Sequence, residues 1–154
     1  MRPRRPTRIP GFVYRGCYCY SLRFGTFNRV HYFTNGSLVA GALLQIQRTA
    51  DEDAFALIAY CFMPDHLHLA VEGRSPESDL RRFVKVAKQR VAYIARTQFQ
   101  IACIWQDGYY ERVLRTYESM DTLIRYILDN PVRAGLVQRA EDFPHSGALY
   151  WPDA

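Results

Sequence analysis

The chain has 154 residues, of which 49% are hydrophobic and 14% aromatic. That composition excludes a disordered chain and gives enough apolar mass for one domain with a real core. The net charge is +5, but 20 basic residues less Arg2, Arg4, Arg5 and Arg8 leave 16 against 15 acidic ones, so global charge is weak evidence for nucleic acid and local clustering has to carry that argument.

No stretch approaches 18 uninterrupted apolar residues, and no apolar signal core follows the basic start. A cytoplasmic protein without a membrane partner is therefore expected. Residues 1–10 are read as a flexible basic tail and 11–154 as a single domain. The four cysteines show no C-x-x-C spacing. Cys17, Cys19 and Cys61 lie in apolar runs and are expected as buried small hydrophobes in a reducing compartment.

The aromatic run Gly16–Phe24 predicts a first strand. Asn35–Thr49 follows as a helix, with Leu38, Ala42, Leu43 and Ile46 on one side. Phe55–Phe62 reads as a buried second strand, and Met63-Pro64-Asp65 as the turn after it. In His66–Glu72, Leu67, Leu69 and Val71 alternate with His66, His68 and Ala70, so one face is aliphatic and the other carries imidazoles. Ser78 is the expected N-cap of a long helix from Asp79 to about Gln98. Its apolar stripe is Leu80, Phe83, Val84, Ala87, Val91, Ile94 and Ala95. Arg81, Lys85, Lys88 and Arg96 form a second, basic stripe. Tyr109–Leu114 predicts a fourth strand after the Asp107-Gly108 turn. Tyr117–Asp129 predicts a final helix stopped by Asn130-Pro131. Beyond Val137 the chain reads as loop, with Phe143, Leu149, Tyr150 and Trp151 folding back onto the domain. The sum is an α+β fold with a mostly antiparallel sheet.

The chemistry-bearing feature is His66-Leu67-His68. Residues i and i+2 of a strand share a face about 6.5–7 Å apart, so the pair is placed to grip one divalent ion. His31 and His145 have no partner at ligand spacing and are expected as ordinary loop or edge residues. Tyr126 and Asn130, four apart in a helix, share a face. The phenol is a nucleophile once deprotonated, and the carboxamide oxygen is a hard acceptor suited to Mg²⁺ or Mn²⁺. Amphipathic packing of Tyr126 and simple helix termination at Asn130 are the alternatives at this point.

Met63-Pro64-x-His66-x-His68, a long basic helix, Trp105-Gln106 and Tyr126-Ile127-x-x-Asn130-Pro131-Val132-Arg133-Ala134-Gly135-Leu136-Val137 occur in that order. This ordered set resembles the single-tyrosine HUH transposases of the IS200-like superfamily, more narrowly the REP-associated tyrosine transposases, over roughly residues 12 to 152. The resemblance implies a ferredoxin-like HUH endonuclease fold. It also implies metal-dependent cleavage and transfer of single-stranded DNA at hairpin-associated sites, through a 5′-phosphotyrosine and a free 3′-hydroxyl. Tyr126 is then the nucleophile, and His66, His68 and Asn130 are ligands of Mg²⁺ or Mn²⁺. Asp65 departs from the pattern, since the family usually has asparagine there; a carboxylate adds negative charge beside the metal. The setting implied is the bacterial cytoplasm, on nucleoid DNA, with a monomer or a homodimer both open.

Arg81, Lys85 and Lys88 are expected DNA contacts, with Arg4 and Arg5 of the tail tracking the backbone. A merely solvated helix face is the alternative for the first three. Because ligand imidazoles must be neutral, activity is expected to fall below about pH 6. A hairpin-binding relative without cleavage activity, and a hydrolase using His66 and His68 without Tyr126, are the competing functions.

Overall fold

The structure is a computed structural model that describes residues 11–115 and 119–149. The tail with Arg4 and Arg5, the expected helix start at Tyr117, and Tyr150 and Trp151 lie outside the described residues.

Strand β1 (Cys19–Gly25) leads through two short 3₁₀ turns to helix α1 (Gly36–Glu52). Strands β2 (Phe55–Met63) and β3 (His66–Gly73) form a hairpin, followed by helix α2 (Leu80–Phe99) and strand β4 (Tyr110–Val113). Helices α3 (Met120–Leu128) and α4 (Asn130–Arg133) and strand β5 (Ser146–Ala148) complete the domain. The sheet is antiparallel throughout, in the order β4-β1-β3-β2-β5. The βαββαβ order with β3 inserted between β1 and β2 is the ferredoxin-like arrangement. The α+β expectation therefore holds.

Each element has a local cause. Asn35 caps α1 by accepting from the Ser37 and Leu38 amides. Asp79, not Ser78, caps α2 by accepting from the Arg82 amide. Ser78 is buried instead, donating its hydroxyl to the Ala54 carbonyl and accepting from the Ser75 amide. All seven residues of the predicted α2 stripe are buried. The first strand begins only at Cys19, so Cys17 is exposed in the turn before it and Cys19 is half-buried, against expectation. The region after Val137 is not all loop: Ser146–Ala148 adds a fifth strand to β2. Phe143 packs back as expected, whereas Leu149 is exposed.

The sheet has two dressed faces. Tyr20, Leu22, Phe24, Leu67, Leu69 and Val71 join the buried residues of α1 and α2 in the larger core. Ala56, Ile58, Ala59, Cys61, Met63 and Ala70 pack against Leu123, Ile124 and Ile127 of α3 on the other side. A register shift between Leu57 and Ala59 changes the parity of β2. Phe55 and Leu57 before it face the same core as Phe62 after it. The bulge thereby places Cys61 and Met63 on the α3 face, directly beside the imidazoles.

Candidate active site

His66 and His68 stand on the α3 face of β3, their ring centroids 4.9 Å apart. The register sets their neighbours. His68 lies between Arg23 of β1 and Cys61 of β2, and His66 between Gly25 and Met63. Gly25 puts no side chain over the His66 ring from the β1 side.

Tyr126 is 56% exposed on α3. It lines a cleft of about 670 Å³ together with His68, Arg23, Tyr110, Arg112 and Thr122, among others. The phenol and an imidazole of the pair thus meet one cavity within one chain. Cys61 does not compete as a nucleophile, because burial pushes its thiol up to about 12.

Burial also acts on the imidazoles. It holds His68 down at about 3, helped by the repulsion that a protonated His66 would exert and by the charges of Arg23 and Arg133. For His66, burial lowers the pKa more than the hydrogen bond to Asp65 raises it. His68 therefore stays neutral further into acid than the limit near pH 6 expected from ordinary imidazole, and His66 is shifted in the same direction. Asp65 is held below the usual carboxylate range: burial raises it, but the hydrogen bond and charge of His66, with Arg29, outweigh that effect.

The His68 shift has a stability consequence. Between about pH 6.5 and 3 the unfolded chain protonates this ring and the folded chain does not. Stability is therefore full above the unfolded value and drains as pH falls, by up to about 1.4 kcal/mol per pH unit for this one group. Urea unfolding in EDTA at pH 7.5, 6 and 5 is expected to give a shallower pH slope for His68→Gln than for the unaltered chain.

The last helical stretch differs from the single helix expected. Helix α3 ends at Leu128, Asp129 forms the junction, and α4 restarts with Pro131 in its first turn. Arg133 ties Tyr126 and Asn130 together. Its guanidinium lies 4.1 Å from the centre of the Tyr126 ring and donates to the Tyr126 carbonyl (2.7 Å) and to Asn130 Oδ1 (2.8 Å). The Asn130 amide nitrogen donates to the Ile127 carbonyl at 3.2 Å. The carboxamide oxygen expected on a metal is therefore engaged by Arg133.

The α2 basic stripe is on the other side of the molecule, since α2 packs on the aliphatic face of the sheet. Arg81 and Lys85 are exposed there, the Arg81 guanidinium 5.4 Å from the Tyr14 ring centre. Lys88 is a strap. Its ammonium donates to the Gln106 (3.2 Å) and Gly108 (2.8 Å) carbonyls and lies near the Phe24 and Trp105 rings. Among the described residues, Arg23, Arg112 and Arg133 bring positive charge to the site face, and the sequence reading selected none of them as DNA contacts. An arginine between Leu22 and Phe24 signals the solvent face of a strand, but its register against His68 is invisible in one sequence. Among the described residues no three His, Cys, Asp or Glu side chains form a metal cluster. Any ion here relies on the imidazole pair with amide, water or phosphate oxygens.

This sheet, with its imidazole pair and an open tyrosine across one cleft, has the fold of a tyrosine transposase. A solved REP-associated tyrosine transposase bound to a REP hairpin superimposes with a TM-score of 0.73 at 19% identity, covering 91% of this chain and 81% of that one. The chain belongs to the IS200-like transposase family, whose model matches residues 18–130. The REP-associated tyrosine transposase of Escherichia coli K12 is 27% identical over 120 residues, 73% of this chain and 64% of its own length. A Haemophilus influenzae protein given that name provisionally is 26% identical over 112 residues, 65% of this chain and 62% of its own. The matched part is thus under two thirds of either relative. No helix among the described residues is long and apolar enough to cross a membrane.

Proposed function

We propose that the chain is a metal-dependent endonuclease and strand transferase acting on single-stranded DNA beside REP-type hairpins in the bacterial nucleoid. The carrying observation is that Tyr126 and His68 line one cleft, with His66 beside His68. The Tyr126 oxygen attacks phosphorus, the P–O3′ bond breaks, and a 5′-phosphotyrosine and a free 3′-hydroxyl result. The proton lost by the phenol is balanced by the one gained at the leaving oxygen. Covalent capture conserves the phosphodiester, so the strand is rejoined without ATP by the reverse step.

The residues fit a divalent cation. Two neutral rings 4.9 Å apart on one face supply nitrogen donors, and Asn130 adds an oxygen once Arg133 releases it. Imidazole donors favour Mn²⁺ over Mg²⁺, which prefers oxygen. When bound, such an ion polarises the phosphoryl oxygen and eases formation of phenoxide and of the leaving oxyanion.

The test is incubation of the chain with Mn²⁺ or Mg²⁺ and a REP-type hairpin oligonucleotide carrying single-stranded flanks. The expected product is a protein–DNA adduct that survives SDS and disappears with EDTA. A retarded complex without adduct in either metal overturns cleavage and leaves a hairpin-binding protein.

Arg23, exposed opposite His68, and Arg112 on the neighbouring strand β4 are placed to neutralise the strand's phosphates. Arg23→Ala is expected to weaken binding of all single-stranded sequences alike. It should also lower the slope of log K against log salt by about 0.7, the value of one phosphate contact, in a fluorescence-anisotropy titration.

A further inference from the structure

We propose that Asp65 is a positioning residue that fixes His66 in the Nδ1–H tautomer and so leaves its Nε2 as the cation-binding atom beside His68. The proposal rests on the metal-centred reading above, and it makes a claim of its own about the metal-free protein.

The geometry is direct. Asp65 Oδ1 lies 2.7 Å from His66 Nδ1. An ionised carboxylate only accepts hydrogen bonds, so Nδ1 must carry the proton. The other ring nitrogen then keeps its lone pair and is the one atom of that ring able to bind a cation. Carboxylate partners of this kind orient ligand imidazoles and raise their basicity.

The surroundings leave Asp65 little freedom. It is the second residue of the two-residue turn joining β2 to β3. Its carbonyl accepts from both the amide (3.0 Å) and the hydroxyl (3.1 Å) of Thr26, and Phe33 N–H donates to the Pro64 carbonyl at 3.1 Å. Thr26 is fully buried. On the outer side Arg29 Nε lies 3.5 Å from Asp65 Oδ2. Arg29 and its neighbour Asn28 hold φ at +54° and +53°, a conformation that non-glycine residues keep only where the surroundings enforce it. Thr26 and Phe33 thus fix the backbone that carries this carboxylate, and Arg29 in its strained turn is the neighbour that, with His66, touches the carboxylate itself. Its side chain and that of His66 are only 20% and 17% exposed, so water is a poor rival for the hydrogen bond.

The function ascribed to this relay is pre-selection. A free imidazole in water distributes its proton over both nitrogens, and a ligand ring must stand in one form. Asp65 makes that choice before any cation arrives. An asparagine here would not force it, because a carboxamide both donates and accepts.

The test is ¹H–¹⁵N long-range NMR of the metal-free full chain at pH 7.5, with a Mn²⁺ titration followed by EPR. His66 is expected as the Nδ1–H form in the unaltered chain and as a mixture in Asp65→Ala, with Mn²⁺ binding 10–100-fold weaker. Asp65→Asn keeps the shape of the turn and removes only the charge, which guards against misfolding; its Nδ1–H population is expected to drop as well. An Nε2–H ring in the unaltered chain, or a tautomer unmoved by both substitutions, overturns the proposal. If the tautomer responds as stated but no variant binds Mn²⁺, the positioning role stands and the metal-centred reading falls.

Discussion

Tyr126→Phe is expected to abolish the covalent protein–DNA adduct, by on the order of 10⁴-fold or more, the scale of loss when a covalent nucleophile is deleted. The substitution is unusually clean here. The ring is 56% exposed and faces the cleft, so losing its hydroxyl leaves no buried partner unsatisfied. The ring itself remains, and with it the stacked guanidinium of Arg133. Helix α3 is anchored by Leu123, Ile124 and Ile127, which the change does not touch. Folding stability is therefore expected within about 0.5 kcal/mol of the unaltered chain. Hairpin affinity should stay within a factor of two or so, which separates binding from chemistry. The assay is SDS gel electrophoresis with a labelled oligonucleotide, read beside a retardation gel. Strand cleavage that persists in Tyr126→Phe would assign the nucleophile to water and turn the site into a hydrolase.

The alternation around His66 and His68 makes the site face legible in the sequence, because a period of two has only one physical reading on a half-buried strand. The α2 stripe was equally plain: seven apolar residues at helical spacing can bury together on one face only. Other features needed the third dimension. The bulge after Leu57 hides in an unbroken apolar run, where no alternation exists to be disturbed. Strand β5 is Ser-Gly-Ala, three residues whose ladder forms because β2 offers a free edge, not because of their own propensity. Ser78 and Asp79 are both good caps, and the choice fell to Asp79 because the Ser78 hydroxyl has a buried carbonyl to satisfy. Lys88 looked like a member of a charged stripe. Its neighbours in space, the carbonyls of Gln106 and Gly108, are 18 and 20 residues away in sequence. Arg133 belongs to the sequence motif that suggested the family, yet its bond to Asn130 Oδ1 and its place over the Tyr126 ring are visible only in three dimensions.

Gly73→Ala is expected to destabilise the fold by on the order of 3 kcal/mol or more, lowering Tm by roughly 10 °C. Gly73 ends the strand that carries both imidazoles. A Cβ there falls 2.0 Å from the Gly16 carbonyl oxygen and 3.1 Å from Ser78 Cβ. Neither side can yield cheaply. The Gly73 amide donates to the Tyr18 carbonyl and the Gly16 amide to the Ser78 carbonyl, both at 2.9 Å, so relief breaks backbone hydrogen bonds at the start of β1. Gly135 in the Tyr126–Val137 motif is the contrast. A Cβ there meets nothing within 4 Å, and the penalty is only that of φ at +75°, about 1 kcal/mol. Urea unfolding is expected to rank the two variants in that order. Mn²⁺ affinity then tests the connection between strand and site: Gly135→Ala retains it, while Gly73→Ala loses it in step with the folded fraction, because the imidazole pair is held in place by β3 being paired along its full length with β1.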